Sequence, residues 1–388
     1  MNQHDQEFYW YWFVNIPSIG NYTRVKLMEL YGHPSRIYQC SFQDVEGYMT
    51  AKQWEEFDRS RNYRLQEEGL RRLKDSGIVF YHWEQKEYPS RFRNLYDPPY
   101  GFYLKGRLPD PQMPAVGIVG SRKASPYGKK MAERYAQELA EAGVSVISGM
   151  AAGIDTEAHK GALSVGGSTL GILGGGIDTM YPKSNWNLYL DMYQSAGIMS
   201  EYNIGISNLS GLFPMRNRLI SALSDSILVV EAGWKSGSLI TADQGMEQGK
   251  DIFAIPGRIT DPMSQGCNHL IAQGAFITES PKDILENLRD RFGIWNQEDS
   301  IDNKMETHDW RDTNAMGDGR KDFDGPVGLS SKEKAVYDLL DEIRPVGFEI
   351  LLQSSLCDFQ ELQHILMSLE LKSYIQQPQQ NMYVKKIL

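Results

Sequence analysis

The chain has 388 residues, 41% of them hydrophobic and 23% charged, and carries a formal net charge of −10. It is long enough for two or three domains with a sizeable core, and no apolar run reaches the ~18 residues that suggest a membrane span. The acidity speaks only weakly against a nucleic-acid partner. Residues 296–327 alone hold nine acidic against four basic residues, and binding depends on a local patch rather than on the total.

The opening stretch, MNQHDQEFYWYWFV, is acidic and then aromatic rather than basic and then plainly apolar, so no secretory signal is expected. From Val14 the sequence reads VNIPSIGNYTRVKLMELYG, a Pro-Ser-Ile-Gly turn and then a helix with apolar Val25, Leu27 and Met28. The turn is similar to half of a helix-hairpin-helix, a unit that touches DNA phosphates through backbone amides. Helical packing without a ligand is the simpler expectation. A second helix pair across 42–73 completes an N-terminal helical domain over 1–85. IVFYHW (78–83) and GFYLKG (101–106) read as aromatic strands. Pro98 and Pro99 bar a helix before the second of them, and the pair is expected to add edge strands to the next domain.

From Ala115 short apolar runs alternate with helical stretches. AVGIVG, VSVIS, STLGIL, GIMSEY, SILVVEA and DIFAIPG read as strands. Helices are expected over 126–142, 156–165, 215–223 and 238–248. Buried strands alternating with helices predict a parallel sheet covered on both faces. The fold class is therefore α/β, an extended Rossmann-like doubly wound domain over 86–291. Residues 292–327 read as an acidic flexible linker. Periodicity returns over 328–388: three helices and then a hairpin around Pro-Gln-Gln, a winged-helix-like domain. Its last helix carries Asp358, Gln360, Glu361 and Gln363 but no Arg, poor material for phosphate contacts. Contact with protein is expected there rather than with duplex DNA. Cys40, Cys267 and Cys357 are far apart, odd in number and without a His at metal-ligand spacing, which points to a reducing cytoplasm and no metal.

Three strand-to-helix turns carry anion-binding chemistry. Gly120, Ser121 and Arg122 place backbone N–H groups and a cation before a helix, a usual seat for an anion. In FPMRNR, Arg216 and Arg218 are two apart and expected at or before a helix start, where guanidinium groups favour phosphate. Asn217 can bond a base edge or cap the helix, and Phe213 can stack on a base. Lys235, Ser236, Gly237 and Ser238 supply a cation, hydroxyls and flexible backbone at a third helix start. All three turns belong to the carboxyl edge of one sheet, where such folds bind ligands. Neither GxGxxG nor GxxxxGK[ST] occurs, so no dinucleotide or triphosphate cofactor is expected. Asp155, Glu157 and His159 could suggest acid–base work, but Asp155 is well placed as a helix N-cap and no second His lies at ligand spacing. No GxSxG elbow is present. Glu231 is the one strand-end carboxylate facing the expected site.

These residues together resemble the DprA/Smf family of bacterial DNA-processing proteins. The resemblance rests on GIVGSR, SGMAAGID with EAHKGAL, the Gly-Gly-Gly-Ile-Asp run before YP, SEY, FPMRNRLIS, LVVEA, SGSLITA, and FAIPG with its trailing GCNHLI, in the family's order from Tyr88 to Leu288. It implies a protein that binds and protects single-stranded DNA and loads the RecA recombinase onto it in natural transformation. It also implies a homodimer formed through the Rossmann-like domain, with no catalysis and no cofactor. Carried over by position, the DNA pocket uses Gly120, Ser121, Arg122, Phe213, Arg216, Asn217 and Arg218, with Lys235 to Ser238 along its rim. Where the family often has a basic residue before FP, this chain has Gly211 and Leu212. The alternative is a nucleotide-processing enzyme resembling phosphoribohydrolases, whose PGGxGTxxE pattern corresponds to EAGWKSGSL here, without the final Glu.

Overall fold

The computed structural model describes residues 3–209, 211–292, 329–340, 346–355, 357–372, 374–379 and 382–385. The chain divides into two compact units, Met1–Asn296 and Gln297–Leu388. No helix among the described residues is long and apolar enough to cross a membrane.

The first unit begins with α1 (Gln3–Val14), α2 (Asn21–Tyr31), α3 (Pro34–Ile37), α4 (Phe42–Val45), α5 (Ala51–Ser60) and α6 (Tyr63–Asp75). The Pro-Ser-Ile-Gly turn between α1 and α2 is held from within. The Arg24 guanidinium donates to the carbonyls of Phe13 (3.4 Å), Val14 (3.1 Å) and Ile16 (3.0 Å), satisfying carbonyls that the end of α1 leaves open. Two strands follow, β1 (Val79–His82) and β2 (Gly101–Gly106), and then the alternating part: β3 (Ala115–Val119), α7 (Pro126–Glu141), β4 (Ser145–Ser148), α8 (Ile154–Ser164), β5 (Thr169–Gly176), α9 (Trp186–Ser195), β6 (Gly197–Tyr202), α10 (Leu212–Leu223), β7 (Ser226–Val229), α11 (Gly237–Glu247), β8 (Asp251–Ala254), α12 (Gln265–Ala272), β9 (Phe276–Ile277) and α13 (Pro281–Phe292).

All nine strands form one sheet in the order β1-β2-β6-β5-β4-β3-β7-β8-β9. From β6 to β9 every pairing is parallel, and β1 and β2 are added antiparallel at the β6 edge. The chain moves outward from β3 through β4, β5 and β6, then returns to the other side of β3 with β7. That reversal is the topological switch point of a doubly wound sheet. Strands β3, β4 and β5 are buried along their whole length because both faces are covered. Val116, Ile118 and Val146 pack with Ala136 and Leu139 of α7 on one side. Val119, Ile147 and Ile172 pack with Leu219 and Ile220 of α10 on the other. Helices α7 and α8 approach so closely that a Cβ on Gly161 would lie 2.2 Å from the Glu133 carbonyl oxygen.

The domain boundary expected at 85/86 cuts through this sheet, since β1 lies before it. As the sequence pattern leads one to expect, this aromatic strand is an edge strand of the sheet, paired with β2 (Tyr81 stacked on Phe102, ring centroids 5.1 Å apart). The helical region also shares a core with the sheet. Trp10, Trp12 and Phe13 belong to one buried cluster with Leu173, Tyr189 and Ile198, and Asn203 donates to Tyr11 Oη (2.7 Å) and Asn15 Oδ1 (3.0 Å).

The second unit contains α14 (Ser331–Asp338), β10 (Val346–Gly347), α15 (Phe348–Ser354), α16 (Phe359–Leu371), β11 (Ile375–Gln379) and β12 (Met382–Lys385). Its three-stranded antiparallel sheet has the order β10-β12-β11. Helix, strand, two helices and a hairpin is winged-helix topology, with its own core of Val336, Leu351, Leu362, Leu366 and Leu369. The linker expected over 292–327 lies outside the described residues except for Phe292.

Candidate nucleic-acid interface

A cavity of about 430 Å³ opens at the carboxyl ends of β3 and β7, outside the switch point. The two strands are tied together beyond their ladder by Val230 N–H to Val119 O (3.1 Å) and Ser121 N–H to Glu231 O (2.7 Å). The second of these bonds occupies the Ser121 amide, so that N–H is not available to an anion. Gly120 is a packing position, where a Cβ would lie 2.5 Å from the Ile154 side chain and 2.9 Å from the Glu231 carbonyl. Ser121 Oγ accepts from Lys123 N–H (3.0 Å) and shapes the turn. Arg122 and Lys123 are left exposed at its tip.

Helix α10 contributes the opposite wall. Its first turn brings Phe213 beneath Arg122, whose guanidinium carbon lies 4.7 Å from the ring centroid, a cation–π arrangement that orients both groups. The space for that ring comes from β5, which continues through the triple glycine. A Cβ on Gly174 would stand 2.8 Å from Phe213 Cδ1. Arg216 reaches the cavity floor, 4% exposed. Its Nη1 donates to the carbonyls of Gly149 (2.6 Å) and Ile172, and its Nε to Asn217 Oδ1 (3.2 Å). Nη2 has no hydrogen-bond partner among the described residues. Asn217 Nδ2 donates to Gly237 O (3.3 Å), linking α10 to the start of α11, where Ser236 Oγ accepts from Ser238 N–H (3.4 Å) as the cap.

The floor also holds a carboxylate. The loop before α8 turns sharply at Met150 (φ 60°), so that the amides of Gly149 (3.2 Å) and Ala151 (3.3 Å) both donate to Asp155 Oδ2. Asp155 is thus inside the first turn of α8 rather than its N-cap, and it fills an amide nest that would otherwise suit an outside anion. Burial pushes its carboxyl up to about 6, against the opposing pull of Arg216. Burial likewise pushes Arg216 down to about 10, still cationic at neutral pH. Arg122, Lys123 and Arg216 against one carboxylate leave the crevice positive in an acidic chain.

The structure corrects two of the expected positions. Arg218 does not reach this crevice. It is 5% exposed on the other side of α10, donating through Nε to Asp97 Oδ2 (2.9 Å) and through Nη2 to Glu201 (2.9 and 2.8 Å). The cause is helical phase: both arginines lie inside α10, which starts at Leu212 with Pro214 tolerated in its first turn, rather than at or before its start. Positions two apart in a helix then point about 200° from each other. Lys235 lines a neighbouring cavity rather than the crevice itself, whereas Ser236, Gly237 and Ser238 line the crevice. Lys123, Asp155 and Met263 belong to the lining although sequence reasoning did not place them there. The adjacency of Lys123 to Arg122 was the available signal; nothing in the local sequence marks Met263.

Glu231 and His159, two residues whose chemistry suits acid–base work, have other partners. Glu231 is 4% exposed and accepts from Ser125 N–H (2.8 Å) and Ser125 Oγ (2.5 Å), anchoring the N-cap of α7. His159 is fully buried, its Nδ1 2.7 Å from Thr169 Oγ1. The Thr169 hydroxyl donates to Val146 O (2.8 Å), so Nδ1–H is the donor and Nε2 is left bare. Burial pushes this imidazole down to about 3, keeping it neutral.

Fold and site define a Rossmann-class protein with a cationic, aromatic-walled crevice at the switch point of its sheet. The family described as DNA recombination-mediator protein A matches residues 79–289, more than half of the chain, and the chain belongs to this family, DprA/Smf. It is 43% identical over 198 residues to the DNA processing protein DprA of Streptococcus pneumoniae, covering 51% of this chain and 70% of that protein. It is 39% identical over 226 residues to protein Smf of Escherichia coli, covering 58% and 60%. The crystal structure of the S. pneumoniae DprA superposes with a TM-score of 0.63 at 34% identity, covering 72% of this chain and 97% of that one.

Proposed function

We propose that the crevice binds single-stranded DNA and that the chain acts as a recombination mediator without catalysing a reaction. The observation that carries this reading is the stack of Arg122 on Phe213 above the buried Arg216. A single strand offers phosphates to the cations and an unstacked base to the aromatic wall, whereas a duplex keeps its bases inside. Membership of a family described as recombination mediators supports the same reading. Protection of the strand, loading of RecA, a homodimer through the α/β domain and a cytoplasmic location follow from the family resemblance and belong to the proposal. The contacts assigned to DNA are Arg122, Phe213, Arg216 and Asn217, with Gly120, Ser121 and Ser236 to Ser238 shaping the groove.

Fluorescence anisotropy with single- and double-stranded oligonucleotides at two salt concentrations tests it. Binding is expected to favour the single strand and to weaken with salt. Equal affinity for both forms, or release of free base from nucleoside monophosphates at enzymatic rates, would overturn the reading.

A further inference from the structure

The turn Gly233–Ser236, closed by Ser236 N–H to Gly233 O (3.0 Å), carries Trp234 and Lys235 at its two central positions. Trp234 is 58% exposed, whereas Trp10 and Trp12 of the same chain are completely buried. Its indole is not adrift. The His269 ring from α12 packs against it with centroids 4.7 Å apart at 51°, leaving more than half of the side chain open. Lys235 is exposed and forms no ion pair among the described residues. Beneath them lies a cavity of about 440 Å³, which shares Ser236, Gly237 and Ile240 with the crevice described above. The two cavities are therefore neighbours across the start of α11.

We infer that Trp234 and Lys235 form a second subsite for the same single strand, the indole stacking on a nucleobase and the ammonium pairing with an adjoining phosphate. The inference rests on reading the crevice as a single-strand site. An exposed, ring-braced aromatic beside an unpaired lysine is the chemistry of sequence-tolerant strand binding, because every base offers a π-face. Asp243 also lines this cavity, so the phosphate is assigned to the Lys235 side of the turn. Arg122 with Phe213 and Lys235 with Trp234 then repeat one motif, a cation beside an aromatic ring.

The test compares an oligothymidylate with an abasic deoxyribose-phosphate strand of equal length, using the full chain and its Trp234→Ala, Trp234→Phe and Arg122→Ala variants. Trp234→Ala is expected to weaken thymidylate binding about tenfold while leaving the abasic strand unchanged, and Trp234→Phe to restore most of the loss. Arg122→Ala should weaken both strands. Equal thymidylate affinity for Trp234→Ala and wild type would overturn the second subsite while leaving the crevice standing. An equal loss on both strands would overturn it as well, as a structural effect. Unchanged binding with a changed sedimentation profile would assign the shelf to a second copy of the chain and overturn it too. Failure of wild type to bind either strand would remove the crevice reading itself.

Discussion

Arg216 and Arg218 stand on opposite faces of α10, the first on the floor of an open crevice and the second inside a three-membered ion cluster with Asp97 and Glu201. Their substitution should separate stability from binding. Arg218→Ala leaves two carboxylates facing each other without their cation. It is expected to cost about 3 kcal/mol in urea denaturation, the typical effect of removing one partner from a buried pair. Arg122→Ala touches only an exposed side chain. It should leave the denaturation midpoint in place, weaken single-strand affinity roughly tenfold, and flatten the log–log salt slope by about 0.7. A stable Arg218→Ala protein with lost DNA affinity would reverse the assignment.

Asp155 makes the crevice sensitive to pH. Its carboxyl is raised from 3.8 to about 6 in the fold. Between those values the folded chain holds a proton that the unfolded chain has released. The stability contributed by this group is therefore full below about 4 and is lost as pH rises through about 6. The same protonation removes the negative charge on the crevice floor. Single-strand affinity is expected to rise about fivefold more in wild type than in Asp155→Asn as pH falls from 7 to 5. Parallel pH profiles for the two proteins would show that the carboxylate does not face the strand.

Much of this arrangement can be read from sequence, and the exceptions have physical causes. Continuous apolar runs marked the parallel strands because burial on both faces excludes polar residues there, as in AVGIV. The Gly-Ser-Arg turn was legible because a strand, a glycine and a cation sit within a few residues. What local pattern does not carry is helical phase. Two positions two apart inside α10 face opposite ways, and the partners that settle which of them leaves the crevice, Asp97 and Glu201, are distant in sequence. The strand read as STLGIL stops short of the triple glycine, yet those glycines are the last part of β5, kept bare by Phe213 and Asn208 packing against them. Asp155 suggested a cap, but the amides that reach it come from the preceding loop.

Glu231 tests whether the strand-end carboxylate is structural. Removing it by Glu231→Ala would leave Ser125 N–H and Oγ–H without their acceptor beneath α7. The expected cost is about 2 kcal/mol, the penalty of unsatisfied buried donors. A space would also open where Gly128 now touches the carboxylate, which a Cβ would approach to 2.3 Å. The Arg122 turn precedes this anchor, so single-strand affinity should fall alongside stability. Full stability with loss of a base-releasing activity would instead mark Glu231 as a catalytic group.

The winged-helix unit should contribute nothing to duplex binding. A recognition helix that enters a DNA groove needs cations to offset the phosphates, and α16 contains no Lys or Arg. Asp358, Glu361 and Glu370 lie at or within it, and Lys332 neutralises only Glu361. Beside exposed Gln363, His364 and Glu370 the helix presents three apolar side chains: Phe359, Met367 and Leu371 are 58%, 62% and 78% exposed at four- and eight-residue intervals. Such a surface suits a protein partner better than a phosphate backbone. A chain ending at Phe292 is therefore expected to match the full chain in single-strand affinity within about twofold, and in its weak duplex binding, when both are titrated at the same salt concentration. Loss of duplex affinity on removal of residues 293–388, with single-strand affinity intact, would return the second unit to the DNA.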